Sequence, residues 1–191
     1  MNASDGLRLT AWKHPEKTAA VCFDKRCTYK GLDERANRLA NGLLAKGFKR
    51  GDKVAYMLYN SMEGLEIIQA LLRVGMTLVP INYRLNPDHM GHIINHCDAN
   101  CLFLGEDLLN SVEPFMPKLT NIPRQNYIII GDQAPQGMSR YEDIMSESTE
   151  NPEVEAKPAD IAYIAYTSGT TGLPKGVATS SRALMSNMRN A

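Results

Sequence analysis

The segment VAYMLYNSMEGLEIIQALLRVGMTLVPI, residues 54–81, decides the fold class of this chain. It begins with an apolar run, continues with apolar residues at helical spacing, and ends in a second apolar run. Asn60, followed three residues later by Glu63, predicts the start of the helix, and Gly75 predicts its end. Runs that are apolar throughout are typical of strands covered on both faces, so the segment predicts a strand–helix–strand unit.

The same alternation continues beyond this unit. Asn86 and Pro87 predict the start of another helix, and apolar strands are predicted at residues 101–104 and 127–130. Strands that alternate with helices in this way predict an α/β fold, a doubly wound and mostly parallel sheet flanked by helices. We place the doubly wound core at residues 54–130.

The segments on either side of the core have weaker patterns. A short N-terminal helix and two strands, residues 19–23 and 26–29, are predicted to precede a helix that Thr28 caps. After the core, the acidic and proline-containing stretch 147–158 is predicted to be a surface linker. Residues 161–180 are predicted to form a strand, a loop and a return strand, and the apolar run 161–165 predicts that the first strand is buried. Ser180 or Ser181 is predicted to cap a last helix.

Glycine, hydroxyl and lysine side chains follow the apolar run 161–165, in the sequence YTSGTTGLPKG at residues 166–176. Glycines let a polyanion approach the main chain, and successive backbone N–H groups form an anion-binding concavity. This chemistry predicts a phosphate site, although a solvent-exposed glycine and threonine turn is the alternative. The run matches neither of the two standard nucleotide-binding glycine motifs. The candidate binding residues are Thr167, Ser168, Gly169, Thr170, Thr171, Gly172, Lys175 and Gly176.

This loop resembles the signature of the adenylate-forming (AMP-binding) superfamily of acyl-CoA synthetases, luciferases and peptide-synthetase adenylation domains. That signature commonly reads Tyr-Thr-Ser-Gly-Thr-Thr-Gly-x-Pro-Lys-Gly. The stretches 51–55 and 75–82 also resemble recurrent segments of the family, and the resemblance runs from about Ala11 to Arg182. It implies that the loop holds the β- and γ-phosphates of ATP, with Mg²⁺ as the companion ion, and that the chain is an N-terminal part of an acyl-CoA synthetase.

The sequence departs from the family pattern in two respects. Ser181 stands where members of the family normally carry a histidine that lines the acid or acyl-transfer site. The segments that the family uses for adenine, ribose and the catalytic lysine of the C-terminal domain would follow Ala191, so the catalytic residues stay unassigned. We therefore expect that this 191-residue chain alone does not form an acyl adenylate.

Composition narrows the class of protein further. The 21 acidic and 21 basic side chains balance, so nothing in the charge points to a nucleic acid partner. No apolar run reaches the roughly 20 residues of a membrane span, and residues 1–13 lack the apolar core of a signal peptide. We therefore expect a cytoplasmic protein, whose oligomeric state the sequence leaves open.

The four cysteines raise the question of a metal site because histidines lie near two of them. Helical spacing places Cys97 on a buried stripe with the histidines on its flank, and Cys101 lies in a predicted strand. Structural zinc sites usually show paired ligands at Cys-x2–4-Cys spacing. Because packing accounts for the buried cysteines, reduced and packed thiols are the interpretation adopted, with zinc as the alternative and no metal ligand assigned.

Three functional hypotheses remain. The first is an acid–thiol ligase that joins a carboxylic acid to AMP, releases pyrophosphate and transfers the acyl group to coenzyme A. The second is a non-catalytic nucleotide-binding or interaction module of the same fold. The third keeps the adenylation chemistry but transfers the acyl group to a carrier-protein thiol. The residues do not identify the acid.

Overall fold

The computed structural model describes residues 4–167 and 172–189, with side chains described as far as Asn187. Six α-helices lie in these ranges: α1 (Asp5–Lys13), α2 (Tyr29–Ala45), α3 (Met62–Val74), α4 (Pro87–His96), α5 (Leu109–Val112) and α6 (Ser181–Arg189). The strands are β1 (Thr18–Cys22), β2 (Lys25–Thr28), β3 (Lys53–Met57), β4 (Thr77–Pro80), β5 (Cys101–Gly105), β6 (Tyr127–Ile130), β7 (Ser139–Arg140), β8 (Ile161–Thr167) and β9 (Lys175–Ser180).

Seven of these strands form one sheet in the order β7-β6-β5-β3-β4-β8-β9, and β1 and β2 form a separate hairpin. Every neighbouring pair in the large sheet is parallel except β8 and β9, which are antiparallel. The chain moves from β3 to β4 on one side and then crosses over to β5 and β6 on the other. This crossing confirms the prediction of a doubly wound, mostly parallel sheet flanked by helices.

Alternate residues of the central strands face two separate cores, as the period of two in a strand requires. In β5, Leu102 and Leu104 pack with α4, whereas Cys101 and Phe103 pack with α2 and α3. All four side chains are fully buried. Because both faces of the sheet are covered at β5, this strand carries no polar side chain, which explains its uninterrupted apolar run in the sequence.

The helix starts follow from local capping. The hydroxyl of Thr28 accepts a hydrogen bond from Gly31 N (3.0 Å), and the side chain of Asn86 accepts one from His89 N (2.8 Å), as predicted. The prediction for α3 was wrong by one residue. Ser61, not Asn60, caps this helix, since its hydroxyl accepts from Gly64 N (3.2 Å).

A partly buried polar network joins α2 and α3 to the segment after β7. Glu66, only 7% exposed, accepts hydrogen bonds from Nε of Arg35 (3.0 Å) and from the hydroxyl of Tyr141 (2.7 Å). Arg35 also donates two hydrogen bonds to Glu142. Burial and the neighbouring Glu66 charge hold the pKa of Tyr141 well above its usual range, so it stays a neutral donor.

Two segments outside the core show features that their sequence patterns do not reveal. The run before the loop was predicted to be a buried strand, but β8 is mostly half-buried and Ile161 is 37% exposed, because β8 lies next to the edge strand β9. The stretch 147–158 is largely exposed, yet the side chain of Asn37 donates to Thr149 O (2.7 Å), which anchors it on α2. None of the helices in the described ranges has the length and apolar character needed to cross a membrane.

Candidate functional site

The candidate site lies at the edge of the sheet where the parallel strands β3, β4 and β8 end. In open α/β sheets, ligands bind outside the carboxyl ends of the strands. A groove of about 530 Å³ opens at this edge. It is lined by residues that follow β3 and β4, by the end of β8 and by part of β1.

Aromatic and amide side chains form the wall of this groove. Tyr59 and Tyr83 follow β3 and β4, and their rings meet edge to face with centroids 4.8 Å apart. Asn60 and Asn82 lie beside them on the same lining. Such a wall combines flat apolar surfaces with hydrogen-bonding groups, which is typical of small-molecule sites.

A larger groove, of about 790 Å³, lies elsewhere on the surface, between α1, α2 and residues 149–151. Its lining includes Trp12, whose side chain is 78% exposed, and charged residues of both signs. The two grooves share no lining residue. We place the candidate site at the carboxyl ends of the strands because the predicted phosphate loop begins there.

The antiparallel pair β8 and β9 brings together the two ends of the predicted phosphate loop. Thr167, the last residue of β8, is the register partner of Lys175, the first residue of β9. Both side chains are exposed. The two side chains therefore start from paired backbone positions at the mouth of the loop, and their hydroxyl and ammonium groups can each donate to an anion. The predicted site residues Ser168, Gly169, Thr170 and Thr171 lie outside the described residues.

The two remaining glycines of the prediction have different surroundings. Gly172 has a φ of 153°, and an added Cβ there would meet no atom within 4 Å. Gly176 pairs with Tyr166 across the hairpin, and a Cβ there would lie 3.0 Å from Cζ of that ring and 3.1 Å from Cγ2 of Ile164. Gly176 thus leaves the space that the Tyr166 ring needs.

The hydroxyl of Tyr166 lies 2.7 Å from Nδ1 of His96, the last residue of α4. The two rings meet edge to face, with centroids 5.8 Å apart. Burial raises the pKa of Tyr166 to about 12, so the phenol is neutral near pH 7. The hydrogen bond joins the helix α4 to the strand that leads into the loop.

Sequence reasoning placed His96 on the flank of α4 and missed its partner. The two residues are 70 positions apart, so only the tertiary fold reveals the contact. Tyr59, Asn82 and Tyr83 were also missed. Their position directly after predicted parallel strands is the signal that could have found them.

The structure assigns Ser181 to the interior rather than to the groove lining. Its side chain is 3% exposed at the start of α6, and its backbone N–H donates to Asp160 O (2.8 Å). Its hydroxyl has no hydrogen-bond partner among the described residues. The cap of α6 is Ser180, whose hydroxyl accepts from Ala183 N (3.2 Å).

The cysteines occupy packing positions. Cys97 and Cys101 are buried, and burial raises the pKa of the Cys97 thiol to about 11 and that of Cys101 further still. Cys22 donates its S–H to Asn60 O at 3.6 Å, and Cys27 lies 3.7 Å from the sulfur of Met62. Within the described ranges, no three His, Cys, Asp or Glu side chains form a group suited to a metal ion.

Known proteins are similar to this chain in sequence and in fold. The chain is 37% identical over 189 residues to a long-chain-fatty-acid–CoA ligase of Thermus thermophilus, an alignment that covers 93% of this chain and 34% of that protein. It is 31% identical over 191 residues to a 3-hydroxybenzoate–CoA/4-hydroxybenzoate–CoA ligase of Thauera aromatica, with 97% and 36% covered. The chain thus spans about a third of the length of these curated relatives.

A solved structure of an anthranilate CoA ligase in complex with anthranoyl-AMP superposes with a TM-score of 0.88 at 25% sequence identity. The match covers 95% of this chain and 35% of that one. The family model described as AMP-binding enzyme matches residues 7–191, which is nearly the whole chain. This chain belongs to the AMP-binding, adenylate-forming enzyme family, with acyl-CoA ligases among its homologues.

Proposed function

We propose that this chain is the N-terminal part of an ATP-dependent acid–thiol ligase and that its β8–β9 loop binds the phosphates of ATP. The reaction would activate a carboxylic acid as acyl-AMP, release pyrophosphate and transfer the acyl group to coenzyme A. The observation that carries the proposal is the pairing of Thr167 with Lys175 at the carboxyl end of a parallel sheet. Family membership supports the same chemistry.

The described residues fit a triphosphate in charge and in shape. Lys175 supplies a positive charge on an exposed side chain, and Thr167 supplies a hydroxyl beside it. At Gly172 the backbone is free of a side chain, so an anion can approach its N–H closely. By this proposal Ser168, Gly169, Thr170, Thr171 and Gly176 belong to the same binding loop.

Lys175 and Thr167 would act on the leaving group of the first half-reaction. Pyrophosphate leaves with additional negative charge, and a fixed ammonium group and hydroxyl stabilise that charge more than they stabilise bound ATP. Magnesium would accompany the phosphates. Because Mg²⁺ is usually held through substrate phosphates and few protein ligands, the phosphates bound at the loop would supply most of its ligands.

The acid and the acceptor are not determined by this part of the chain. The two curated relatives described above act on a long-chain fatty acid and on hydroxybenzoates, which differ in shape and polarity. A carrier-protein thiol is the alternative acceptor to coenzyme A. The second alternative is a non-catalytic nucleotide-binding or interaction module of the same fold, which is compatible with our proposal that the 191-residue chain alone is inactive.

Calorimetric titration of the chain with magnesium pyrophosphate tests the proposed function. We expect binding by the wild-type chain and at least a tenfold weaker affinity for Lys175→Ala, because a charged hydrogen-bond donor to phosphate is lost. Lys49→Ala is the matched control, since Lys49 is exposed at the opposite, amino-terminal end of β3. Equal affinity of Lys175→Ala and wild type would remove Lys175 from the site.

A further inference from the structure

The end of α4 contacts the hairpin that carries the loop through His96 and Tyr166. Nδ1 of His96 and the Tyr166 hydroxyl are 2.7 Å apart, which is a normal length for such a hydrogen bond. The rings are nearly perpendicular, at 86°. Edge-to-face packing of this kind adds to the hydrogen bond and fixes the orientation of both rings.

The helical side of this contact has a rigid base. Ile93, Ile94 and Cys97 anchor the last turn of α4 in the core, with exposed fractions of 1%, 1% and 5%. His96 itself is exposed and lies beside β8. A side chain that projects from such a base can hold a half-buried partner such as Tyr166 in place.

The hairpin side of the contact joins the sheet through the first half of β8. Leu78 of β4 and Tyr163 are register partners, and the hydroxyl of Thr77 donates to Ile161 O (2.9 Å), whereas Tyr166 lies beyond both contacts, toward the loop. The Tyr166 ring meets His96 and also packs over Gly176 on β9. One phenol therefore links α4 to both strands that border the loop.

We propose that His96 is a positioning residue for Thr167 and Lys175, the paired ends of β8 and β9. Through its hydrogen bond it holds the Tyr166 ring against Gly176 and so fixes the relative positions of these two residues. The nature of the ligand rests on the proposed function, whereas the positioning of the hairpin ends does not. The contact acts by holding Thr167 and Lys175 in one arrangement before the anion binds, which reduces the cost of fixing them on binding.

Two readouts on the 191-residue chain test this role. The first is amide hydrogen exchange of the β8–β9 hairpin, measured by NMR without ligand. The second is the dissociation constant for magnesium pyrophosphate. We expect His96→Ala to raise the exchange rate of the hairpin amides and the dissociation constant, each by roughly threefold to tenfold, which is the usual effect of one hydrogen bond. The exposed position of His96 keeps the fold intact, and unchanged exchange in β5 verifies this.

Two further variants separate positioning from simple packing. His96→Asn places a side-chain amide near the position of Nδ1 and is expected to restore most of the protection and affinity. His89→Ala, about two turns earlier on the same helix, is expected to behave as wild type. If His96→Ala leaves exchange of the hairpin unchanged, or if His96→Asn is as impaired as His96→Ala, the positioning role is wrong.

The two readouts also distinguish this inference from the proposed function. Faster hairpin exchange in His96→Ala, together with no pyrophosphate binding by wild type, would support the positioning contact and overturn the phosphate function. Wild-type binding that His96→Ala leaves unchanged, with unchanged exchange, would overturn the contact and support the function.

Discussion

The doubly wound core and the β8–β9 hairpin belong to one sheet but are stabilised differently. In the core, helices cover both faces, and side chains such as Phe103 and Ile128 are fully buried. In the hairpin, β9 is an edge strand, and Val177 is 55% exposed. The core therefore supplies the stability, whereas the hairpin exposes polar groups that, by our proposal, bind a ligand. Binding segments are commonly drawn from such less stable regions of a fold.

The sharpest way to test this difference is a pair of truncations. Phe103→Ala removes a fully buried ring that packs edge to face with Tyr141, and it should lower the free energy of unfolding by about 3–5 kcal/mol. Val177→Ala in the hairpin should change it by less than about 0.5 kcal/mol. Urea denaturation measures both. Similar costs for the two variants would show that the hairpin is as much a part of the core as β5.

A change within the hairpin should have an intermediate effect. Gly176→Ala places a Cβ 3.0 Å from the Tyr166 ring, and we expect a loss of about 1 kcal/mol in the free energy of unfolding because the ring must shift. Pyrophosphate affinity should fall with it. Gly6→Ala is the matched control, since its Cβ would meet no atom within 4 Å and should be neutral or slightly stabilising. A Gly176→Ala chain as stable as wild type would mean that the ring is not held in place.

The effect that is smallest at neutral pH concerns the pH dependence of stability, because it emerges only above pH 10. The pKa of Tyr166 is raised from its ordinary value of 10.0 to about 12, so the folded state retains the phenol proton that the unfolded state releases. Its contribution to stability is therefore complete below pH 10 and is lost as the pH rises toward 12. Tyr166→Phe should weaken this alkaline loss relative to wild type, as measured by denaturation at several pH values. Identical pH profiles would show that Tyr166 titrates normally.

Much of the fold was predictable because its determinants are local. Uninterrupted apolar runs marked the covered strands, and Asn86 and Thr28 marked helix starts with side chains that accept from the helix backbone. The cap of α3 was misassigned because Asn60 and Ser61 are adjacent residues that both favour capping. The strand β7 was missed because two residues, Ser139 and Arg140, show no apolar periodicity.

The candidate site was predictable in type more than in arrangement. The glycines, hydroxyls and lysine of the loop indicated phosphate from residue chemistry alone. The contact of His96 with Tyr166 depends on how α4 packs beside β8, which no local pattern encodes. The half-exposed character of β8 was also missed, since an apolar composition does not tell an inner strand from one beside an edge.

The central claim is that the end of the β8–β9 hairpin binds phosphate. The most direct measurement is an NMR titration of the isotope-labelled chain with magnesium pyrophosphate. We predict saturable shifts concentrated at Thr167, Gly172, Lys175 and Gly176, with little change at β5 and at the groove between α1 and α2. No saturable shift, or shifts centred on the α1–α2 groove, would contradict the account.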